Sequence, residues 1–246
     1  MKKILSILYV PYRFLIFAPI MCASTLFFGL LTVGLVQFLP ARTASFIGGT
    51  LWSRFNSYLT PMFVRVIGRE NIDPKQSYVV VSNHQSLYDI FVLYGWLGVD
   101  FKWVMKKELR KVPFLGVACE KLDHIYIDRS NRAAALASLK NAKKTIVNGT
   151  SVIFFPEGTR SDNGRLGEFK KGAFIMAMDL GVPVLPVSIV NTDRILPNKT
   201  LRLLPGFAKL VIHEPIRLDG YSHDNVQDLM AKAKESIQAG LDQYRS

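Results

Sequence analysis

Cysteine, acidic residues and histidine are all scarce in this chain, and each shortage narrows what it can be. Two Cys in 246 residues exclude a disulfide scaffold. Only 19 Asp and Glu stand against 31 Lys and Arg, a formal net charge of +12. Of the four His, His124 opens an apolar run and His213 and His223 lack neighbours at metal-ligand spacing, so no metal site is expected. Internal repeats and low-complexity linkers are missing. So are a Gly-x-Ser-x-Gly nucleophile elbow and a Gly-x4-Gly-Lys-Ser/Thr phosphate loop. A hydrophobic share of 49% and a mean hydropathy of +0.19 exclude a disordered tail protein. A chain at once basic and apolar meets either nucleic acid or an anionic membrane.

The N-terminal region favours the membrane. From Phe14 to Ala41 there is no charged residue. As one helix, this stretch of about 28 residues would reach roughly 42 Å, more than a core helix requires. Lys2, Lys3 and Arg13 precede it and Arg42 and Arg54 follow, so flanking charge assigns no orientation. Pro19 interrupts the run. A second, amphipathic stretch, Ser45 to Ile67, carries Trp52, Phe55, Tyr58 and Phe63. Two helices joined near Pro40 fit better than one rod, and a helix pair embedded in one leaflet is expected over a single span. The run is too long and too poor in small residues for a cleavable signal peptide. Cys22 lacks the small preceding residues of a lipidation site, and Cys119 reads as a small core residue.

Beyond Ile67 short β-rich runs alternate with helical patterns. Strands are expected at Tyr78 to Ser82, Phe101 to Met105, His124 to Ile127, Ser151 to Phe155, Val184 to Val190 and Ala208 to His213. Helices are expected at Ser86 to Leu97, Arg132 to Val147, Ala173 to Leu180 and Asn225 to Tyr244. This alternation reads as an α/β domain, residues 68–246, with a mostly parallel central sheet flanked by helices. An N-terminal hydrophobic helical membrane motif, residues 1–67, precedes it. In open α/β sheets, sites collect beyond the C-terminal ends of strands.

Two segments with chemistry fall there. The first is Asn83-His84-Gln85-Ser86-Leu87-Tyr88-Asp89. His84 and Asp89 cannot share a face of a regular helix, but they meet if His84 lies on the strand-to-helix loop and Asp89 in the first turn. Asp89 would then fix the imidazole tautomer and leave the other nitrogen free as a base. The same residues also read as a capping box in which Asp89 only closes the helix start. The second segment is Phe154-Phe155-Pro156-Glu157-Gly158-Thr159-Arg160-Ser161. A type I turn accounts for Pro156 and Gly158. Glu157 and Arg160 are then either a solvated surface pair or groups for a glycerol hydroxyl and a phosphate.

Both segments, in this order, resemble the glycerolipid acyltransferase family, most closely the bacterial 1-acyl-glycerol-3-phosphate (lysophosphatidic acid) acyltransferases. Asn83 to Asp89 matches the family's His-x4-Asp block and Phe155 to Ser161 its Phe-Pro-Glu-Gly-Thr-Arg-Ser block. Lys106-Lys107-Glu108-Leu109, Pro113, Gly116 and Ile127-Asp128-Arg129 are similar to a further block, and Lys170 to Ala173 and Val182 to Val187 to the remaining ones. The likeness runs from about Val79 to Val190, and four blocks in register are specific where one would not be.

The resemblance implies acyl transfer from a thioester, acyl-ACP or acyl-CoA, to the 2-hydroxyl of lysophosphatidic acid. The product is phosphatidic acid, in phospholipid biosynthesis, with no metal, no cofactor and no acyl-enzyme. His84 would be the general base and Asp89 its orienting partner, as in a serine-protease triad whose serine is replaced by the substrate alcohol. Arg160, supported by Lys107 and Arg129, would hold the acceptor phosphate. Glu157 would contact glycerol, Gly158 and Thr159 would belong to the same substrate-binding segment, and backbone amides around the Glu157-Gly158 turn are candidates for the oxyanion. Lys140, Lys143, Lys144, Lys170 and Lys171 read as solvated faces, some of which could attract an acidic donor. Trp96 and Trp103 read as core or membrane-interface anchors. Phe91, Leu93 and Phe114 are core or tunnel lining, which sequence does not separate. The implied partners are lysophosphatidic acid, the acyl thioester and an anionic membrane, with no nucleic acid. The implied location is the cytoplasmic face of a bacterial inner membrane. Two other readings stay open: an acyltransferase, transacylase or hydrolase acting on another lysolipid or an aminolipid, and a non-catalytic basic module binding membrane or nucleic acid.

Overall fold

The computed structural model describes residues 9–128, 130–146, 148–162 and 164–245. Helix α1, Tyr9–Leu35, is long and apolar enough to cross a membrane, and only 17% of its most apolar window is buried. Pro19 cannot donate a backbone hydrogen bond, and the helix absorbs the loss in a π turn, Arg13–Phe17, where Ala18 N–H bonds Arg13 O. After a turn at Pro40, helix α2 runs over residues 41–59 with a second π turn, Phe46–Thr50. The expected joint near Pro40 is therefore present. The helices are held together by polar contacts, Ser24 Oγ to Asn56 Oδ1 at 3.0 Å and Trp52 Nε1 to Thr25 Oγ1 at 3.2 Å.

Gly48 and Gly49 let α2 lie close on both neighbours. A Cβ at Gly48 would overlap the Thr32 hydroxyl on α1, and one at Gly49 would overlap the Tyr94 ring. Gly49→Ala is expected to destabilise the protein by about 1–3 kcal/mol through this overpacking. Thermal melts of purified wild type and variant in the same detergent measure it, and an unchanged melting temperature would contradict the contact.

The amphipathic stretch expected to continue as helix to Ile67 instead ends at Leu59, and Met62–Ile67 forms strand β1. The division expected after residue 67 thus falls at the end of a sheet strand. Helical spacing had masked a β-branched run that pairs with strand β7, Gly206–Ile212, about 140 residues later. The other strands are β2 (Val79–Ser82), β3 (Asp100–Lys106), β4 (Ile125–Ile127), β5 (Thr150–Phe154) and β6 (Val184–Val190). Their order across the sheet is β1-β7-β6-β2-β5-β3-β4, and every pairing is parallel except β6 with β7.

The helices are α3 (Tyr88–Trp96), α4 (Leu115–Lys121), α5 (Arg132–Ala142), α6 (Gly172–Leu180), α7 (Thr192–Ile195) and α8 (Val226–Tyr244). The helix expected over Arg132 to Val147 stops at Ala142, and Val147 lies outside the described residues. Side-chain alternation splits the core into two layers. Val80, Ile153, Leu185 and Leu210 pack with Phe91, Val92 and Leu93 of α3 on the side of α1 and α2. Val79, Val81, Val152 and Val211 pack with Phe174 of α6 and Leu229, Ala233 and Ile237 of α8 on the other. Central strands buried on both faces have to be nearly all apolar, which is why β2 and β6 read as Val-Val-Val-Ser and Val-Leu-Pro-Val-Ser-Ile-Val. Because β2 to β6 all run parallel, His84, Lys107, Asp128, Phe155 and Thr192, which follow them in the chain, all emerge at one end of the sheet.

Candidate active site

His84 sits on the loop after β2, and Asp89 on the first turn of α3. Their side chains meet, with His84 Nδ1 2.8 Å from Asp89 Oδ2. The carboxylate is fully buried, and the same oxygen accepts the backbone N–H groups of Gln85 at 2.7 Å and Ser86 at 2.9 Å. Its other oxygen accepts the Thr192 hydroxyl. Ser86 Oγ meanwhile accepts the Tyr88 N–H at 3.2 Å. One carboxylate therefore accepts backbone N–H groups just before the helix start and also lies against the imidazole. With Nδ1 donating to Asp89, the neutral ring carries its lone pair on Nε2, which has no hydrogen-bond partner among the described residues. The ring stacks on Phe155, centroids 3.8 Å apart and planes 10° apart, and Phe155 in turn stacks on Trp103.

The loop after β5 is bound to the loop after β2. Ser161 N–H donates to His84 O at 2.8 Å, which brings the neighbouring Arg160 to the histidine's side of the domain. The Arg160 guanidinium has no hydrogen-bond partner among the described residues, and Thr159 beside it is exposed. Glu157 lines an adjoining cavity, but its carboxylate oxygens are bonded within the protein. Its carboxylate is turned inward and buried, with Oε1 accepting His84 N–H and Oε2 accepting Gly167 N–H, each at 2.8 Å. Burial raises its pKa, opposed by those two backbone donors. Glu157 thus fixes the His84 backbone and the 157–167 loop to each other. Gly158, at φ +76°, donates its N–H to Phe155 O at 3.0 Å, so that amide closes the turn.

Lys107 follows β3 at the same end of the sheet but is paired with Asp128 at 2.5 Å. That hydrogen bond raises the Lys107 pKa, and it combines with donors from Ser130 to hold Asp128 at about 2. Arg129 lies outside the described residues. A cavity of about 540 Å³ adjoins the site, lined by Glu157, Thr159, Arg165, Phe169 and Lys170 among others. Among the described residues no three His, Cys, Asp or Glu side chains converge as metal ligation requires.

The remaining histidines bond other partners. His124 accepts Trp103 N–H at Nδ1, lies 3.3 Å from the Tyr94 hydroxyl at Nε2, and is held down to about 3 by burial. His213 bonds Ser188, and His223 pairs with Asp179 at the surface. Sequence reasoning missed Thr192, Asn83 and Gln85. Asn83 pairs its amide with both backbone groups of Ile189, and Gln85 donates to Ile189 O at 2.7 Å. Thr192 is 103 residues from Asp89, so no local pattern marks it.

A sequence profile of the family described as Acyltransferase matches residues 63–190. A 1-acyl-sn-glycerol-3-phosphate acyltransferase of Pseudomonas aeruginosa is 33% identical over 90% of this chain and 87% of its own. A chloroplastic enzyme of the same name from Arabidopsis thaliana is 35% identical over 78% of this chain and 52% of its own. The chain spans about half the length of the first plant relatives it matches. The crystal structure of a 1-acyl-sn-glycerophosphate acyltransferase from Thermotoga maritima superposes with a TM-score of 0.83 at 31% identity, covering 99% of this chain and 97% of that one.

Proposed function

We propose, from the premise that the chain belongs to the acyltransferase family, that it transfers a fatty acyl group from a thioester to the 2-hydroxyl of 1-acyl-sn-glycerol-3-phosphate, making phosphatidic acid. The observation that carries this reading is the His84–Asp89 contact at 2.8 Å on a buried carboxylate, with no hydrogen-bond partner on Nε2 among the described residues. Nε2 takes the proton of the 2-hydroxyl as its oxygen attacks the thioester carbonyl. The tetrahedral intermediate collapses with loss of the carbon–sulfur bond, and the imidazolium returns its proton to the departing thiolate. Asp89 holds the ring and stabilises its charged form. No acyl-enzyme is needed, because the acceptor hydroxyl occupies the place of an enzyme nucleophile. No cofactor takes part in these steps, and acyl-ACP or acyl-CoA serves as co-substrate.

Arg160 binds the acceptor phosphate, supported by a guanidinium that makes no hydrogen bond among the described residues, with Asp162 as a charged neighbour, and by its backbone link to His84 through Ser161. Arg160→Ala is expected to raise KM for lysophosphatidic acid about tenfold or more with a smaller effect on donor KM. Steady-state kinetics with each substrate varied in turn check this, and an effect confined to the donor would remove Arg160 from the acceptor site. Glu157 acts here by fixing the base's backbone.

The site faces an anionic membrane. Exposed Phe14, Leu15, Phe27 and Leu30 of α1 continue into Phe46, Leu51 and Phe55 of α2. Both helices pack along the α/β body, through Phe17 and through Tyr94 bonded to Ser45 at 2.8 Å, which supports embedding in one leaflet over spanning. With cytosolic donors and a bacterial relative of matching length, the location is the cytoplasmic face of the inner membrane. The deciding experiment offers purified full-length chain lysophosphatidic acid and other lysolipids, each with acyl-CoA or acyl-ACP, and identifies the lipid product by mass. Phosphatidic acid from neither donor would end this reading.

A further inference from the structure

We infer that Thr192 is a positioning residue for the reaction, acting through Asp89 by holding the carboxylate oxygen that His84 does not use. The inference rests on His84 being the general base.

Strand β6 is buried along its whole length and runs parallel to β2 with Ser82 opposite Val187. At its end Asn191 adopts a left-handed conformation, φ 69°, which asparagine tolerates better than most residues. That turn starts α7 and aims fully buried Thr192 back at the start of α3, where its hydroxyl donates to Asp89 Oδ1. The approach does not depend on this bond. Asn83 and Gln85 already tie the β2 loop to Ile189 of the same strand, at 2.7 to 2.9 Å.

The donors on Asp89 are unevenly divided. Oδ2 takes His84 Nδ1, Gln85 N–H and Ser86 N–H, whereas among the described residues Oδ1 has Thr192 alone. Without the hydroxyl, Oδ1 is a buried acceptor with no donor, and the carboxylate gains a reason to rotate away from His84. A carboxylate with one donor fewer also binds a proton, and the imidazolium beside it, more tightly. At a given pH, less of the neutral imidazole would then be present to act as base. Among the described residues, the titratable group that interacts with both members of the pair is Glu157 from the loop after β5. Its bonds go to His84 and Gly167 and not to Thr192, so it persists in a variant at that position.

The test uses the full chain in phosphatidylglycerol-containing vesicles with lysophosphatidic acid and a long-chain acyl-CoA, or acyl-ACP if the CoA ester is not accepted. Turnover and KM are measured from about pH 5 to 9, spanning the imidazole range. Thr192→Val should lower kcat about 10- to 100-fold, leave KM for the acceptor unchanged and move the acid limb of the profile to higher pH. Thr192→Ser, which keeps the hydroxyl, should restore kcat and the limb. A Thr192→Val enzyme with wild-type kcat and an unmoved limb overturns the inference, as does an equal loss in both variants. If Thr192→Val shows no folding transition, Thr192→Cys takes its place, and wild-type turnover with that weak donor is the overturning result. His84→Ala separates the two readings. Activity retained there removes the general base and this inference with it, whereas an inactive His84→Ala beside a fully active Thr192→Val removes only the role of Thr192.

Discussion

Replacing His84 with alanine is expected to lower acyl transfer by on the order of 10²- to 10⁴-fold. The fold should survive the change. The imidazole is partly exposed, and its removal leaves Asp89 with Gln85, Ser86 and Thr192 as donors, so the buried carboxylate stays solvated by the protein. The stacking face of Phe155 is uncovered, a loss of one aromatic contact worth about 0.5–1.5 kcal/mol. Initial rates with saturating acceptor, together with a thermal melt, separate a dead enzyme from an unfolded one. Retention of more than a tenth of the wild-type rate by a folded variant would mean that another group takes the hydroxyl proton.

Asp89→Ala is expected to affect both rate and stability. It removes the acceptor for two backbone N–H groups, one hydroxyl and one imidazole in a region with no access to water. Breaking a buried charged network by deleting one partner costs about 3–5 kcal/mol. The start of α3 should loosen, because the same carboxylate caps it. Turnover should fall to the level of His84→Ala, since an imidazole with no partner has neither a fixed tautomer nor a fixed direction. The double variant should be no slower than the slower single one, as expected for groups acting as a unit. Denaturant unfolding and single-turnover assays on the three proteins give both quantities. Additive losses in rate would show that Asp89 contributes to catalysis by a route independent of His84.

The orienting and capping readings of Asp89 looked exclusive along the chain because each requires the carboxylate to point in one direction. In three dimensions both targets lie on the same side, since His84 is on the loop that the helix start closes. Glu157 shows the reverse case. Beside Arg160 in the sequence it reads as half of a ligand-binding pair, yet strand adjacency puts the β2 loop above it, and backbone N–H groups with no other acceptor claim both its oxygens. Lys107 is similar, since Asp128 reaches it only because β3 and β4 are neighbours.

By itself the sequence determined the pattern-dependent features. The α/β alternation, most strand positions, the break near Pro40, the long apolar run and the two short segments that carry His84, Asp89 and Arg160 all follow from local periodicity and short motifs. Interactions within a few residues of one another leave a readable spacing. The tertiary structure alone decided that Met62–Ile67 is a strand, that Gly49 is required by Tyr94, that Glu157 faces inward and that Thr192 completes the bonding of Asp89. Each depends on a partner brought close by the tertiary fold, 45 to about 140 residues away along the chain. The energy of such a contact resides in geometry created by the whole sheet, so neither partner carries a mark of it in its own neighbourhood.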